Sequence, residues 1–176
     1  MGNLIADALR EALHADVALT NGGGIRGNRL YEAGATLTRR NILQELPFGN
    51  IGVLVDMSGA DLLAALEHGV SQVADKAGRF PQVSGIRFVY DPGKPAGKRV
   101  LEVQVGGKGL DHTATYRVAT SDYLLKGGDG YNSLKNGKVL IDTSGGSLMA
   151  TTVMGYITTK GTVAPQIEGR IVTRQE

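Results

Sequence analysis

Glycine places the strongest constraint on how this chain can fold. It supplies 26 of the 176 residues, about twice the usual share of ~7%. Two of its clusters directly follow β-rich apolar stretches: Gly22-Gly23-Gly24 after residues 16–20, and Gly127-Gly128-Asp129-Gly130 after residues 116–120 and Asp122-Tyr123. Glycine permits left-handed backbone and a close approach of backbone to a neighbour or ligand. The sequence therefore predicts short elements joined by loops of unusual geometry. Aromatic residues are scarce, three Phe and six Tyr with no Trp, so each ring beside such a loop stands out.

At 176 residues the chain suits one ordinary domain, burying roughly 70% of the surface exposed when unfolded. Apolar residues at 41% place it among globular proteins, and no apolar run approaches a membrane span. Nineteen Lys and Arg against seventeen Asp and Glu leave a formal charge of +2, too little to argue for nucleic acid or an acidic membrane surface. The absence of cysteine removes disulfides, zinc–cysteine sites and cysteine nucleophiles together. An amphipathic helix carrying Leu4, Ile5, Ala8, Leu9, Ala12 and Leu13 starts within two residues of Met1, with no signal-peptide pattern before it. That start is the one expected of a chain cut from a longer one.

Periodicity and punctuation give the elements. Residues 16–20 read as a short buried strand, and Thr38 as the N-cap of a helix over 39–45 that Pro47 stops. A strand is predicted over 51–57, then a helix begun by Ser58 and Asp61 as a capping box and ending near Gly78. Further strands are predicted over 86–90, 100–105, 116–120, 139–142 and 167–172, with a helix over 147–160 closed by Gly161. Without an internal repeat or a long linker, the reading is one α+β domain over residues 1–176.

Gly22, Gly24 and Gly27 spell the dinucleotide-binding pattern G-x-G-x-x-G, but that motif needs a helix directly after it. Residues 28–36 show no helical stripe, so a Rossmann site is set aside. Arg26 beside three glycines fits either an anion held by its guanidinium fork or a plain surface turn with a solvated arginine. The histidines, His14, His68 and His112, stand far apart without metal-ligand spacing, and His14 and His68 are expected on exposed helix faces. Asp122 and Asp129 make a weak candidate acid–base pair, and no catalytic or metal-binding residue is assigned. Phe48 and Tyr123 fit two roles. They can hold a flat base between them, with Asn21 or Asn50 at its edge and Asp129 accepting from ribose hydroxyls. Alternatively, and favoured by spacing alone, Phe48 is a core anchor and Tyr123 a half-exposed strand residue.

Four segments, read in order, carry a family resemblance: Met1-Gly-Asn-Leu-Ile-Ala-Asp-Ala, Asn21-Gly-Gly-Gly-Ile-Arg26, Pro47-Phe-Gly-Asn50 and Gly127-Gly-Asp-Gly-Tyr131. Together they closely resemble the C-terminal domain of the 5′-nucleotidase family. The resemblance implies a mixed β-sheet packed with helices and a domain that binds a nucleotide or nucleoside. It implies Phe48 and Tyr123 as the two sides of a base sandwich, Arg26 at the sugar–phosphate side, Asp129 at the ribose hydroxyls, and Asn21 and Asn50 at the base end. Hydrolysis would fall to the chain's own N-terminal metallophosphoesterase domain, which holds two divalent metal ions and is not in this sequence. The isolated chain is then expected to be inactive, and the full-length protein to be periplasmic or extracellular. Two departures stand out. The second ring is Tyr123 where Phe is common, and the family's further arginines would precede Met1. Two other readings are a stand-alone nucleotide-binding or interaction module, and an independent hydrolase working through Asp129.

Overall fold

The computed structural model describes residues 1–174. The chain runs α1 (Gly2–Ala12), β1 (Val17–Asn21), α2 (Arg39–Glu45), β2 (Gly52–Ser58), α3 (Gly59–Gly69), β3 (Pro81–Ser84), β4 (Ile86–Tyr90), β5 (Val100–Val105), β6 (Lys108–Gly109), β7 (Thr115–Ser121), α4 (Asp122–Leu125), β8 (Lys138–Ile141), α5 (Met149–Lys160) and β9 (Ile171–Thr173). The strands form two mixed sheets, not one. The larger has the order β3-β1-β7-β2-β8 and the smaller β6-β5-β4-β9. Gly85 alone separates β3 from β4 and carries the chain from one sheet to the other.

Strand β1 is buried at every position because each of its faces meets its own apolar layer. Val17 and Leu19 join Leu62, Leu66, Phe88 and Tyr131 between the sheets and α3. Ala18 turns the other way, toward Ile5 and Leu9 of α1 and Met149 and Val153 of α5. The alternation repeats in β2, where Val55 and Met57 face the first cluster and Leu54 the second. Helix α1 has no side-chain cap. A cap is worth about 1 kcal/mol, whereas burying each of Leu4, Ile5 and Leu9 contributes about 1.5–3 kcal/mol. Its apolar stripe, not its ends, holds α1 in place.

Local signals place several boundaries. Thr38 accepts from the Asn41 amide while Asn41 accepts from the Thr38 amide, a complete capping box that starts α2. At α3 the box is only half formed: Ser58 accepts from the Asp61 amide, but its hydroxyl donates to the Asp61 carboxylate. That helix also ends at Gly69, nine residues before the predicted stop. Arg99 Nη1 donates to the Val70 and Ser71 carbonyls at 2.6 and 2.8 Å, taking acceptors that a further turn would need. Strand β3 carries no strand signal in the sequence, being four residues long and opening on Pro81. No helix among the described residues is long and apolar enough to cross a membrane.

Candidate nucleotide-binding cleft

The strand order gathers the distinctive loops. Strands β1 and β7 are parallel neighbours, and β2 lies antiparallel on the far side of β7. The end of β1, the end of β7 and the start of β2 therefore meet at one edge of the sheet. Asn21 closes β1, Tyr123 and Asp129 follow β7, and Phe48 and Asn50 precede β2. Asn21, Arg26, Phe48, Asn50, Tyr123 and Asp129 all line one cleft of about 380 Å³, together with Gly23, Gly24 and Gly78.

Neither ring is a core anchor. Phe48 is 60% exposed and Tyr123, in the first turn of α4, is 42% exposed. Phe48 also forms the wall between this cleft and an apolar hollow of about 240 Å³ lined by Leu43, Leu46, Leu148 and Met149. Arg26 places its guanidinium carbon 5.9 Å from the Phe48 ring centroid, within cation–π range.

Asp122 fastens the two ring-bearing loops together. Its amide donates to the Ile51 carbonyl at 2.9 Å, and its Oδ1 accepts from the Ile51 amide at 2.9 Å. A carboxylate committed to a backbone amide and to Lys126 Nζ at 3.0 Å is a clasp, not half of an acid–base pair. Partial burial pushes this carboxyl up, but the Ile51 amide and Lys126 outweigh it and hold it below its ordinary value. A depressed carboxyl stabilises the fold above its unfolded pKa and loses that contribution as pH falls through the folded value. The clasp is thus expected to be intact at neutral pH and to weaken only as pH falls from the ordinary carboxylate value through the lower folded one. Thermal unfolding followed from neutral to acid pH should show Asp122→Asn losing less stability than the parent across that window. Parallel curves would remove the clasp.

Asp129 is the hub of the cleft. Its Oδ2 accepts from Asn21 Nδ2 at 2.6 Å and its Oδ1 from the Tyr123 hydroxyl at 2.7 Å. Its own amide donates back to Tyr123 Oη at 3.1 Å. The hydrogen bond to this carboxylate holds the Tyr123 phenol above its usual pKa. The Tyr123 hydroxyl is therefore not a neutral addition to a phenylalanine ring, because it fixes where the ring stands.

Glu45 was missed by the sequence reading. It is buried, its carbonyl accepts from the Arg26 amide at 2.9 Å, and its carboxylate accepts from the Gly27 amide at 3.1 Å and the Tyr31 hydroxyl at 2.9 Å. It seats the backbone under Arg26. The available signal was a carboxylate three residues after Ile42, on the buried face of α2. Neither histidine expected on an exposed helix face lies on one: His14 is exposed but lies just beyond α1 with left-handed backbone, and His68 is on α3 but half-buried against the 127–131 loop. Among the described residues no three His, Cys, Asp or Glu side chains gather where they could hold a metal ion, so the donors present do not fit a pair of divalent ions.

A sequence profile described as 5′-nucleotidase, C-terminal domain, matches residues 1–136. The chain is 36% identical to the trifunctional nucleotide phosphoesterase protein YfkN of Bacillus subtilis, over 97% of this chain and 12% of that protein. It is 33% identical to the 5′-nucleotidase of Diplobatis ommata, over 98% of this chain and 33% of that one. The crystal structure of a 5′-nucleotidase precursor from Thermus thermophilus superposes with a TM-score of 0.90 at 40% identity, covering 99% of this chain and 35% of that one. The chain thus spans about a third of the 5′-nucleotidases it resembles and about an eighth of YfkN. Strands β8 and β9 and helix α5, which lie beyond the profile match, complete both sheets and the second apolar cluster. The chain belongs to the 5′-nucleotidase family, as its C-terminal domain.

Proposed function

We propose that this chain is the nucleotide-recognition domain of a 5′-nucleotidase-like phosphoric ester hydrolase. The base lies between Phe48 and Tyr123, Asn21 and Asn50 support the base end, Asp129 accepts from the ribose hydroxyls, and Arg26 meets the phosphate side. The observation that carries this reading is the convergence of these six residues, including two exposed rings, on one cleft. Asp129 supports the ribose role in a specific way. A carboxylate offers about four acceptor positions, and Asn21 and Tyr123 take one on each oxygen. Each oxygen keeps a further position, which suits two neighbouring hydroxyls. Hydrolysis belongs to a di-metal N-terminal metallophosphoesterase domain outside this chain, and the 176 residues alone are inactive. The full-length protein works in the periplasm or outside the cell.

Two stacked faces contribute about 2–6 kcal/mol before ordering costs, and 1 mM corresponds to about 4 kcal/mol. Adenosine is therefore expected to bind this chain in the high-micromolar to millimolar range. NMR titration should map it to Asn21, Phe48, Tyr123 and Asp129. AMP should bind tighter than adenosine by about 1.5–3 kcal/mol, the worth of a charge-assisted hydrogen bond. Arg26→Ala should erase that advantage, and Arg26→Lys should restore only part of it because the planar fork is gone. Shifts confined to a surface remote from both rings would overturn the reading of the cleft. An AMP advantage surviving in Arg26→Ala would remove Arg26 from the phosphate.

A further inference from the structure

His68 touches the cleft from behind. It sits at the end of α3, and its Nε2 lies 2.8 Å from the carbonyl oxygen of Asp129. A carbonyl only accepts, so Nε2 carries the proton in this contact. The imidazole meets Tyr131 edge-on, 5.1 Å between centroids and 73° between planes. Tyr131 is fully buried and its hydroxyl donates to the Arg79 carbonyl, so His68 rests against a fixed surface.

The glycines of the 127–131 loop record the same arrangement. A Cβ on Gly128 would stand 2.5 Å from the Tyr123 ring, and a Cβ on Gly130 would stand 2.6 Å from His68 Cε1. The loop passes between two rings, with a glycine where each ring presses. Asp129, between those glycines, is held at φ 51, a left-handed conformation uncommon outside glycine that persists only where its surroundings impose it. Its carboxylate is tied to Asn21 and Tyr123, its amide to Tyr123, and its carbonyl to His68. Only the last of these comes from α3, from a residue that does not itself line the cleft.

We propose that His68 is a positioning residue for the cleft: by donating to the Asp129 carbonyl it keeps Asp129 left-handed and its carboxylate directed at Asn21 and Tyr123. The consequence for ribose rests on the proposed function; the consequence for Asp129 itself does not. Two variants of this chain separate the terms. His68→Phe keeps a ring against Tyr131 but has no donor, and His68→Gln offers an amide donor at a similar reach.

In the unliganded chain, His68→Phe should move or broaden the NMR signals of the Asn21 side-chain amide and of the Asp129 and Gly130 amides, and His68→Gln should return them toward the parent. With ligand, His68→Phe should weaken adenosine about tenfold and 2′,3′-dideoxyadenosine, which lacks the hydroxyls, far less. His68→Gln should recover most of that loss. Unmoved Asn21 and Asp129 signals in His68→Phe would overturn the proposal, as would equal weakening of both nucleosides. If the parent binds neither nucleoside, the cleft reading fails, and the unliganded signals still decide the role of His68. Should His68→Phe not fold, His68→Asn, too short to reach the carbonyl, replaces it with the same readouts and the same rescue.

Discussion

Replacing Phe48 with alanine is expected to remove most of the chain's affinity for nucleosides while leaving its fold intact. The ring is more exposed than buried, so its loss takes little apolar surface from the core. The same exposure makes it available as one face of a stack worth about 1–3 kcal/mol. Tyr123→Ala should cost a comparable amount and also release Asp129 from its hydroxyl partner. The double variant should lose about 2–6 kcal/mol, placing adenosine beyond any practical titration. In the proposed sandwich both rings press on one base, so their effects should couple, and the two single losses need not sum to the double one. Tyr123→Phe keeps the stacking face but forfeits the bond to Asp129, a partly exposed interaction worth about 0.5–1.5 kcal/mol at most. Titration by NMR alongside thermal unfolding checks all four variants. Unchanged adenosine binding in Phe48→Ala, with the fold retained, would end the base-sandwich reading.

The parts of this site that could be read from sequence are those whose chemistry resides in the side chain and whose position follows from a local break. Phe48, Arg26 and Asp129 each stand directly beside a glycine or proline, and Tyr123 stands four residues before Gly127, in a chain with few aromatics to distribute. What stayed hidden depends on backbone partners distant in sequence. Asp122 looks like an acid until Ile51, just before β2 and distant in sequence, is seen to occupy it. Glu45 and His68 likewise act on the amide of Gly27 and the carbonyl of Asp129. Neither contact leaves a periodic or compositional trace. The fold divides in the same way. Thr38 and Ser58 announce their helices within four residues. The parallel pairing of β4 with β9 joins segments some eighty residues apart, so the second sheet could not be counted from its strands alone.

Tyr131 marks the boundary between the two kinds of aromatic, and its removal is expected to produce the opposite effect from that of Phe48. It directly follows the Gly-Gly-Asp-Gly run of the cleft loop, yet it is fully buried among Leu62, Leu66 and Leu134, far from solvent. Truncating a large buried aromatic costs about 3–5 kcal/mol through lost burial and the cavity left behind. Tyr131→Ala also strands the Arg79 carbonyl, which accepts its hydroxyl, and removes the surface on which His68 rests. For a chain of this size that is a fall in Tm of roughly 10 °C or more. Tyr131→Phe should isolate the hydroxyl, costing about 1–3 kcal/mol for the acceptor left unpaired, with the packing kept. Nucleoside binding by Tyr131→Phe, measured well below its unfolding temperature, should stay close to the parent's, because its ring still supports His68. The test is a comparison of thermal unfolding and adenosine titration in the two Tyr131 variants beside Phe48→Ala. If Tyr131→Ala kept the parent's Tm while losing adenosine, Tyr131 would belong to the cleft and not to the core.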